Sequence, residues 1–164
     1  MEALNELVQR WYGRLFRYAR LRIGAHEPAA DITQDAWIAI VQGIHRLADA
    51  SAFPAWAYRI VTNKCRDWLR KRQHERGVFA EPNKPNLEQA ACHIPSGPPE
   101  AEALERALAT LDVDDRTMVT LYYFEELTVS QIAGVFDIPA GTVKSRLHRC
   151  RMTLRKQLEG THCE

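Results

Sequence analysis

The sequence predicts an all-α protein of two small helical modules joined by a flexible linker. Three observations lead to that class. Apolar residues recur at threes and fours along nearly the whole chain, and no run alternates with period two over the length of a strand. Residues 77–99, "GVFAEPNKPNLEQAACHIPSGPP", break that pattern and hold five of the eight prolines. The 164 residues suffice for one domain or two small ones. The expected organisation is a first module over 1–76, an acidic, Pro-rich linker over 77–99 and a second module over 100–160; modules of this size fold alone by a narrow margin.

The elements follow in order. In "LNELVQRWYGRLFRYARLRI", Leu4, Leu7, Val8, Trp11, Leu15 and Tyr18 lie at the spacing of one helix face, and Gly24 and Pro28 punctuate its end. "AADITQDAWIAIVQGIHRL" sets Ile32, Ala36, Ile40 and Ile44 on one apolar line. "ADASAF" and Pro54 then read as a loop before a long helix, "WAYRIVTNKCRDWLRKRQ". Helical spacing resumes near residue 100 with "EAEALERALATL" and "DDRTMVTLYYFEEL" and continues almost to the end.

Charge is sorted along the chain although the total is only +1. Residues 59–76 hold seven Lys/Arg against two acids, residues 144–156 hold six against none, and residues 77–115 between them hold two against eight. Two basic patches separated by an acidic segment are a nucleic-acid footprint that the net charge conceals. No apolar run reaches the roughly 20 residues that span a bilayer. The first twenty residues carry Glu2 and Glu6 and do not resemble a secretory signal, so the expected compartment is the cytoplasm. Cys65, Cys92, Cys150 and Cys163 stand far apart without a C-x-x-C pair. Neither Cys92-His93 nor His162-Cys163 has the loop spacing of a zinc site, so free thiols and no metal are expected. A nucleophile–base pair and a phosphate-cradling glycine loop are also missing, which argues against an enzyme and against a cofactor.

The second module carries helix-turn-helix grammar. Thr128 and Gln131 make a capping box for a short helix that turns Ile132, Ala133 and Phe136 inward. "DIPAG" supplies the turn, with Pro139 in the first turn of the next helix. That helix aligns Val143, Leu147, Cys150, Leu154 and Leu158, leaving Lys144, Ser145, His148 and Arg149 on other faces of its N-terminal half. A helix of this kind enters a major groove and reads base edges from that half. Arg151, Arg155 and Lys156 suit phosphates or water. The plainer reading is a soluble helix with a basic face.

In the first module, Arg59, Asn63, Arg66 and Arg70 fall within about 60° of one another on a helical wheel. Ala57, Ile60, Val61, Cys65, Trp68 and Leu69 fall opposite, so Trp68 and Tyr58 are read as structural. Trp56 borders the polar stripe behind the "LADASAFP" loop. A basic stripe with an amide, entered through an aromatic, can track a backbone and pocket a base.

These motifs resemble the extracytoplasmic-function (ECF) sigma factors of bacterial RNA polymerase. "DITQDAWIAIVQGIHRL" is similar to the family's polymerase-binding helix, "FPAWAYRIVTNKCRDWLRKR" to its promoter-opening helix, and "LTVSQIAGVFDIPAGTVKSRLHRCRMTLRK" to its helix-turn-helix. The modules would then be a sigma region 2 helical bundle and a sigma region 4 helix-turn-helix. The resemblance implies that Asp31, Gln34 and Asp35 face the clamp helices of the polymerase's largest subunit, and that the core enzyme's beta flap is a further partner. It implies a pocket for a minus-10 base at Leu47, Ala48, Asp49, Ala50, Ser51 and Phe53, helped by Asn63. Trp56 would sit at the melted edge, with Arg59, Arg66 and Arg70 near phosphates. Thr142, Lys144, Ser145, Arg146, His148 and Arg149 would read the minus-35 element. An anti-sigma partner, membrane-linked, is implied as well, without membrane insertion of this chain. Housekeeping members carry two adjacent tryptophans where this chain has Trp56-Ala57, so a smaller melting wedge and dependence on near-consensus promoters are expected. Two rivals are a stand-alone helix-turn-helix repressor and a DNA-processing enzyme that would use Asp31 and Asp35.

Overall fold

The structure is a computed structural model that describes residues 2–75 and 99–161. It forms two helical units, each described by itself. Among the described residues there is no strand, and no helix is long and apolar enough to cross a membrane. Cys92, His93, His162, Cys163 and the linker over 77–98 lie outside the described residues.

The first unit packs α1 (Glu2–Ile23), α2 (His26–Gly43) and α3 (Phe53–Glu75) against one another. Gly24, at φ +79°, ends α1 in the left-handed region that a Cβ disfavours, and its N–H bonds the Arg20 carbonyl at 2.8 Å. Pro28 does not punctuate the chain as expected. It sits in the first turn of α2, where backbone N–H groups have no helical partner to lose. Pro54 likewise lies inside the first turn of α3, so Trp56 is a fourth helical residue rather than a first. Between α2 and α3 run two short 3₁₀ turns, Ile44–Arg46 and Ala50–Ala52.

Trp11, Leu15, Tyr18 and Ile23 from α1, Ile32, Ala36, Trp37 and Ile40 from α2, and Phe53, Tyr58, Val61 and Cys65 from α3 are buried. Aromatic rings dominate the centre: Trp11 meets Phe53 edge-on at 5.3 Å and Tyr58 at 6.2 Å, and Tyr18 lies 4.8 Å from Tyr58. The Thr62 hydroxyl donates to the Tyr58 carbonyl at 2.8 Å, so its one proton is committed and the Tyr18 hydroxyl donates to it at 2.6 Å. Past Cys65 no α3 residue is buried. Trp68, expected in the core, is half-buried with the Arg72 guanidinium 5.0 Å over its ring, and Leu69 is exposed.

The second unit holds α4 (Pro99–Ala109), α5 (Val113–Tyr123), α6 (Val129–Phe136) and α7 (Ala140–Thr161). Pro99, counted with the linker in the sequence reading, opens α4. Asp112 caps α5 by accepting the Asp115 N–H at 2.7 Å. The expected Thr128–Gln131 capping box opens α6. Asp137 closes it at φ 57°, and the Pro139 carbonyl accepts the N–H groups of Thr142 and Val143 at the start of α7. Pro139 therefore precedes that helix instead of lying in its first turn. Met118, Leu121, Ile132, Val135, Phe136, Val143, Leu147 and Cys150 form the core. Arg116 is buried beneath the end of α4. Its Nε donates to the Leu108 carbonyl at 3.0 Å, and its Nη2 to the carbonyls of Ala109 at 3.1 Å and Leu111 at 3.4 Å. Leu108 also accepts the Leu111 N–H at 3.2 Å, while Ala109 and Leu111 stand at and just past the end of α4, where carbonyls lack intrahelical partners.

Arg116→Ala should destabilise the second unit by about 2 kcal/mol, because its charge-assisted bonds to the carbonyls at the end of α4 are lost. Thermal unfolding followed by circular dichroism should show a fall in Tm of roughly 10 °C, and Arg116→Lys should recover little of it because an ammonium lacks the fork. Burial pushes the Cys65 thiol up to about 12, against a smaller opposing pull from Arg22. Burial, helped by the nearby Asp115 charge, pushes Cys150 up to about 11. The thiolate is the reactive form, so both should alkylate at least about a hundredfold more slowly in the native protein at pH 8 than in denaturant. Peptide mapping after iodoacetamide treatment checks this, and equal labelling of native and denatured protein would contradict the burial.

Candidate nucleic-acid interface

Three exposed surfaces concentrate the residues singled out in the sequence. The first is the loop between α2 and α3 with the outer side of α3. Asp49 closes an Asx turn: Oδ1 accepts the Ser51 N–H at 2.8 Å and Oδ2 the Ser51 hydroxyl at 2.5 Å. Those bonds hold the Asp49 carboxyl below the usual carboxylate range. Ala48 to Ser51 are exposed, Leu47 is half-buried, and the turn at Ala50–Ala52 packs on α3. Phe53 departs from the expectation. It is buried against Trp11, so its ring supports the loop from beneath and is not available as a base contact. The Trp56 ring is half-buried, 6.2 Å from Phe53 and closely packed on Gly43, where an added Cβ would come within 3.0 Å of it. Arg59 and Asn63 lie open on the same helix, and Arg66 is half-buried. Arg70 is exposed and pairs with Asp67 at 2.6 Å. Both partners of that pair are exposed, so the bond is weak and Arg70 stays on the open side of the helix.

The second surface is the outer side of α2. Asp31, Gln34 and Asp35 are exposed, and Ile38 and Val41 continue the row at helical spacing. Beside Gln34, an apolar groove is lined by Val8, Tyr12, Trp37, Ile38 and Val41. The sequence reading found the polar trio but missed the groove. Its signal is the second apolar row in "WIAIVQ", offset from Ile40 and Ile44.

The third surface is α7. Thr142, Lys144, Ser145 and His148 are exposed, with the Ser145 hydroxyl donating back to the carbonyls of Gly141 at 2.8 Å and Thr142 at 3.2 Å. Arg146 is different: its Nε bonds Asp115 Oδ1 at 2.6 Å, and its Nη2 meets Asp112 at 3.4 Å. Its side chain is only 25% exposed, so it braces α7 against α5 and does not offer its guanidinium to a duplex. Arg149 gives one Nη2 bond to Asp115 Oδ2 at 2.9 Å and stays 66% exposed. Burial opposes the Asp115 charge, but the bonds from Arg149 and Arg146 outweigh it and hold the carboxyl below its ordinary range. Asp115 escaped the sequence reading because its partners lie 31 and 34 residues away.

Known families match the two units in the same order. The model of Sigma-70 region 2 matches residues 7–75, and that of Sigma-70, region 4 matches residues 101–154. The ECF RNA polymerase sigma factor SigW of Bacillus subtilis is 29% identical over 167 residues, covering 96% of this chain and 89% of the relative. The ECF RNA polymerase sigma factor SigM of Mycobacterium tuberculosis is 31% identical over 156 residues, covering 95% of this chain and 77% of the relative. In fold, the chain is similar to the solved structure of the sigma factor RpoE in complex with the anti-sigma factor NepR from Bartonella quintana. The TM-score is 0.73 at 24% identity, over 97% of this chain and 98% of that one. A stand-alone repressor has no need of a region 2 module, and that rival is set aside. The chain belongs to the ECF sigma factors of RNA polymerase.

Proposed function

We propose that this sigma factor divides promoter recognition between its units. The region 4 unit holds the minus-35 element as duplex through Lys144, Ser145, His148 and Arg149 on α7. The region 2 unit captures an unpaired minus-10 base between the Asp49–Ser51 turn and α3. The observation that carries this reading is the construction of the first surface from a pre-ordered loop, a pinned indole and an open amide. The turn is closed by two bonds within itself, Trp56 is lodged on Gly43, and Asn63 is exposed further along the same helix. A pocket ordered beforehand loses less entropy when a base enters, which helps offset the few kcal/mol of unstacking. Arg59 and Arg66 supply phosphate contacts along the strand.

The outer side of α2 docks core polymerase. Asp31, Gln34 and Asp35 provide polar contacts, while Ile38 and Val41 provide the desolvated centre that an interface needs. An anti-sigma factor restrains the free protein. The RpoE–NepR structure supports this, as does CnrH in complex with the cytosolic domain of CnrY, similar at a TM-score of 0.63 and 24% identity. The protein acts in the cytoplasm as an initiation factor, without catalysis of its own.

Asn63→Ala should reduce promoter opening about tenfold or more, read by permanganate reactivity of unpaired thymines, and change closed-complex affinity less than twofold, consistent with loss of one buried polar contact. Equal losses in both steps would count against the pocket. Ile38→Asp should cut co-purification of core polymerase at least about tenfold, as expected for a charge placed at an interface centre, while circular dichroism stays unchanged. Undiminished capture would move the docking surface elsewhere.

A further inference from the structure

We propose that Asp115 is a positioning residue for duplex reading, setting the direction in which Arg149 presents its guanidinium. The proposal rests on α7 being the helix that faces the minus-35 element. Asp115 belongs to α5, not to the recognition helix, and its side chain is only 6% exposed. Both carboxylate oxygens are used, one by Arg146 and the other by Arg149. Asp112 steadies the arrangement from behind, accepting the Asp115 N–H at 2.7 Å and meeting Arg146 at 3.4 Å. Arg146 is thereby bound on two sides and braced. Arg149 is bound at one nitrogen only, and its remaining donors stay in the open beside Ser145 and His148.

Two consequences follow from this geometry. A guanidinium has five N–H donors in a rigid planar fork, so a bond held at one nitrogen narrows the directions open to the others. Arg149 then meets a base edge with its rotamer already chosen, and a misplaced acceptor cannot be followed by a swing of the side chain. Asp115 also cancels part of the charge of the pair. Its removal should release Arg149 as a mobile cation that suits any phosphate. The expected signature is therefore a split: weaker discrimination together with stronger general binding. A brace that served only to hold the fold would weaken both.

The test uses holoenzyme assembled from the full chain and core polymerase. Binding is compared across promoter fragments in which each minus-35 base pair is replaced in turn, and on a fragment with that element scrambled. In wild type, the base pair that Arg149→Ala renders neutral should cost about tenfold or more when replaced. Asp115→Asn should reduce that cost to within about twofold, tighten binding to the scrambled fragment, and steepen the dependence of log affinity on log salt by about one. Unchanged discrimination, or a uniform loss across all fragments with an unchanged melting temperature, would overturn the proposal. Should Asp115→Asn lower the melting temperature, Arg149→Lys decides the matter. It keeps the charge and can still reach Asp115 but lacks the fork, so it should lose discrimination while scrambled-fragment binding holds. Retained discrimination there would also overturn the proposal. A wild type indifferent to every minus-35 replacement would instead strike the assignment of α7, and this proposal with it.

Discussion

The outward face of α3 is set by what holds its inward face. Tyr58 lies under that helix, touched by Trp11 and Tyr18, while Thr62 one turn on takes the Tyr18 hydroxyl. Aromatic pairs of this kind add about 0.5–1.5 kcal/mol each beyond their buried area, which matters in a three-helix unit whose total stability is small. The cluster also fixes rotation about the helix axis. A turn of the helix by one residue, about 100°, would in one sense carry Arg59 and Asn63 into the buried positions of Tyr58 and Thr62, and in the other carry Tyr58 to the open position of Arg59. The positions of Arg59 and Asn63 on the surface are thus a consequence of rings on the other side.

The second unit solves the same problem with charge. The helices before α7 are short, and two of the unit's buried polar residues are the adjacent Asp115 and Arg116 on α5. They act in opposite directions. Arg116 reaches back to the carbonyls that end α4, and Asp115 reaches across to α7. Burying either alone would be costly, since a charge without partners in a poor solvent destabilises a fold. Each has its partners, and between them one turn of α5 ties together the helices before and after it.

Helical periodicity made the architecture legible before any coordinates. The middles of the apolar lines, at Leu15, Ile40, Val61 and Val143, are core in the structure while Leu4 at one end is exposed, and the Thr128–Gln131 capping box was readable from two letters three positions apart. The errors came from features without a local period. Pro28 and Pro54 looked like breaks because proline interrupts helices in general, but within a first turn it costs nothing. Phe53 looked like part of an open loop because its burial is decided by Trp11, far away in sequence. The family resemblance puts Arg146 and Arg149 alike among the minus-35 readers. Only the position of α5 distinguishes the braced one from the half-open one. The family motifs were legible as region 2 followed by region 4, but which side chains face outward was a question of tertiary packing.

The contact between Gly43 and the Trp56 indole couples two positions through size. Glycine is needed there for want of room and not for an unusual backbone angle, since φ at Gly43 is −104°. Any larger residue at 43 would require a smaller one at 56, or a shift of the helix end against the ring. The last turn of α2 therefore sets how far the indole stands out from the surface. Related chains that enlarge one of these two positions would be expected to shrink the other.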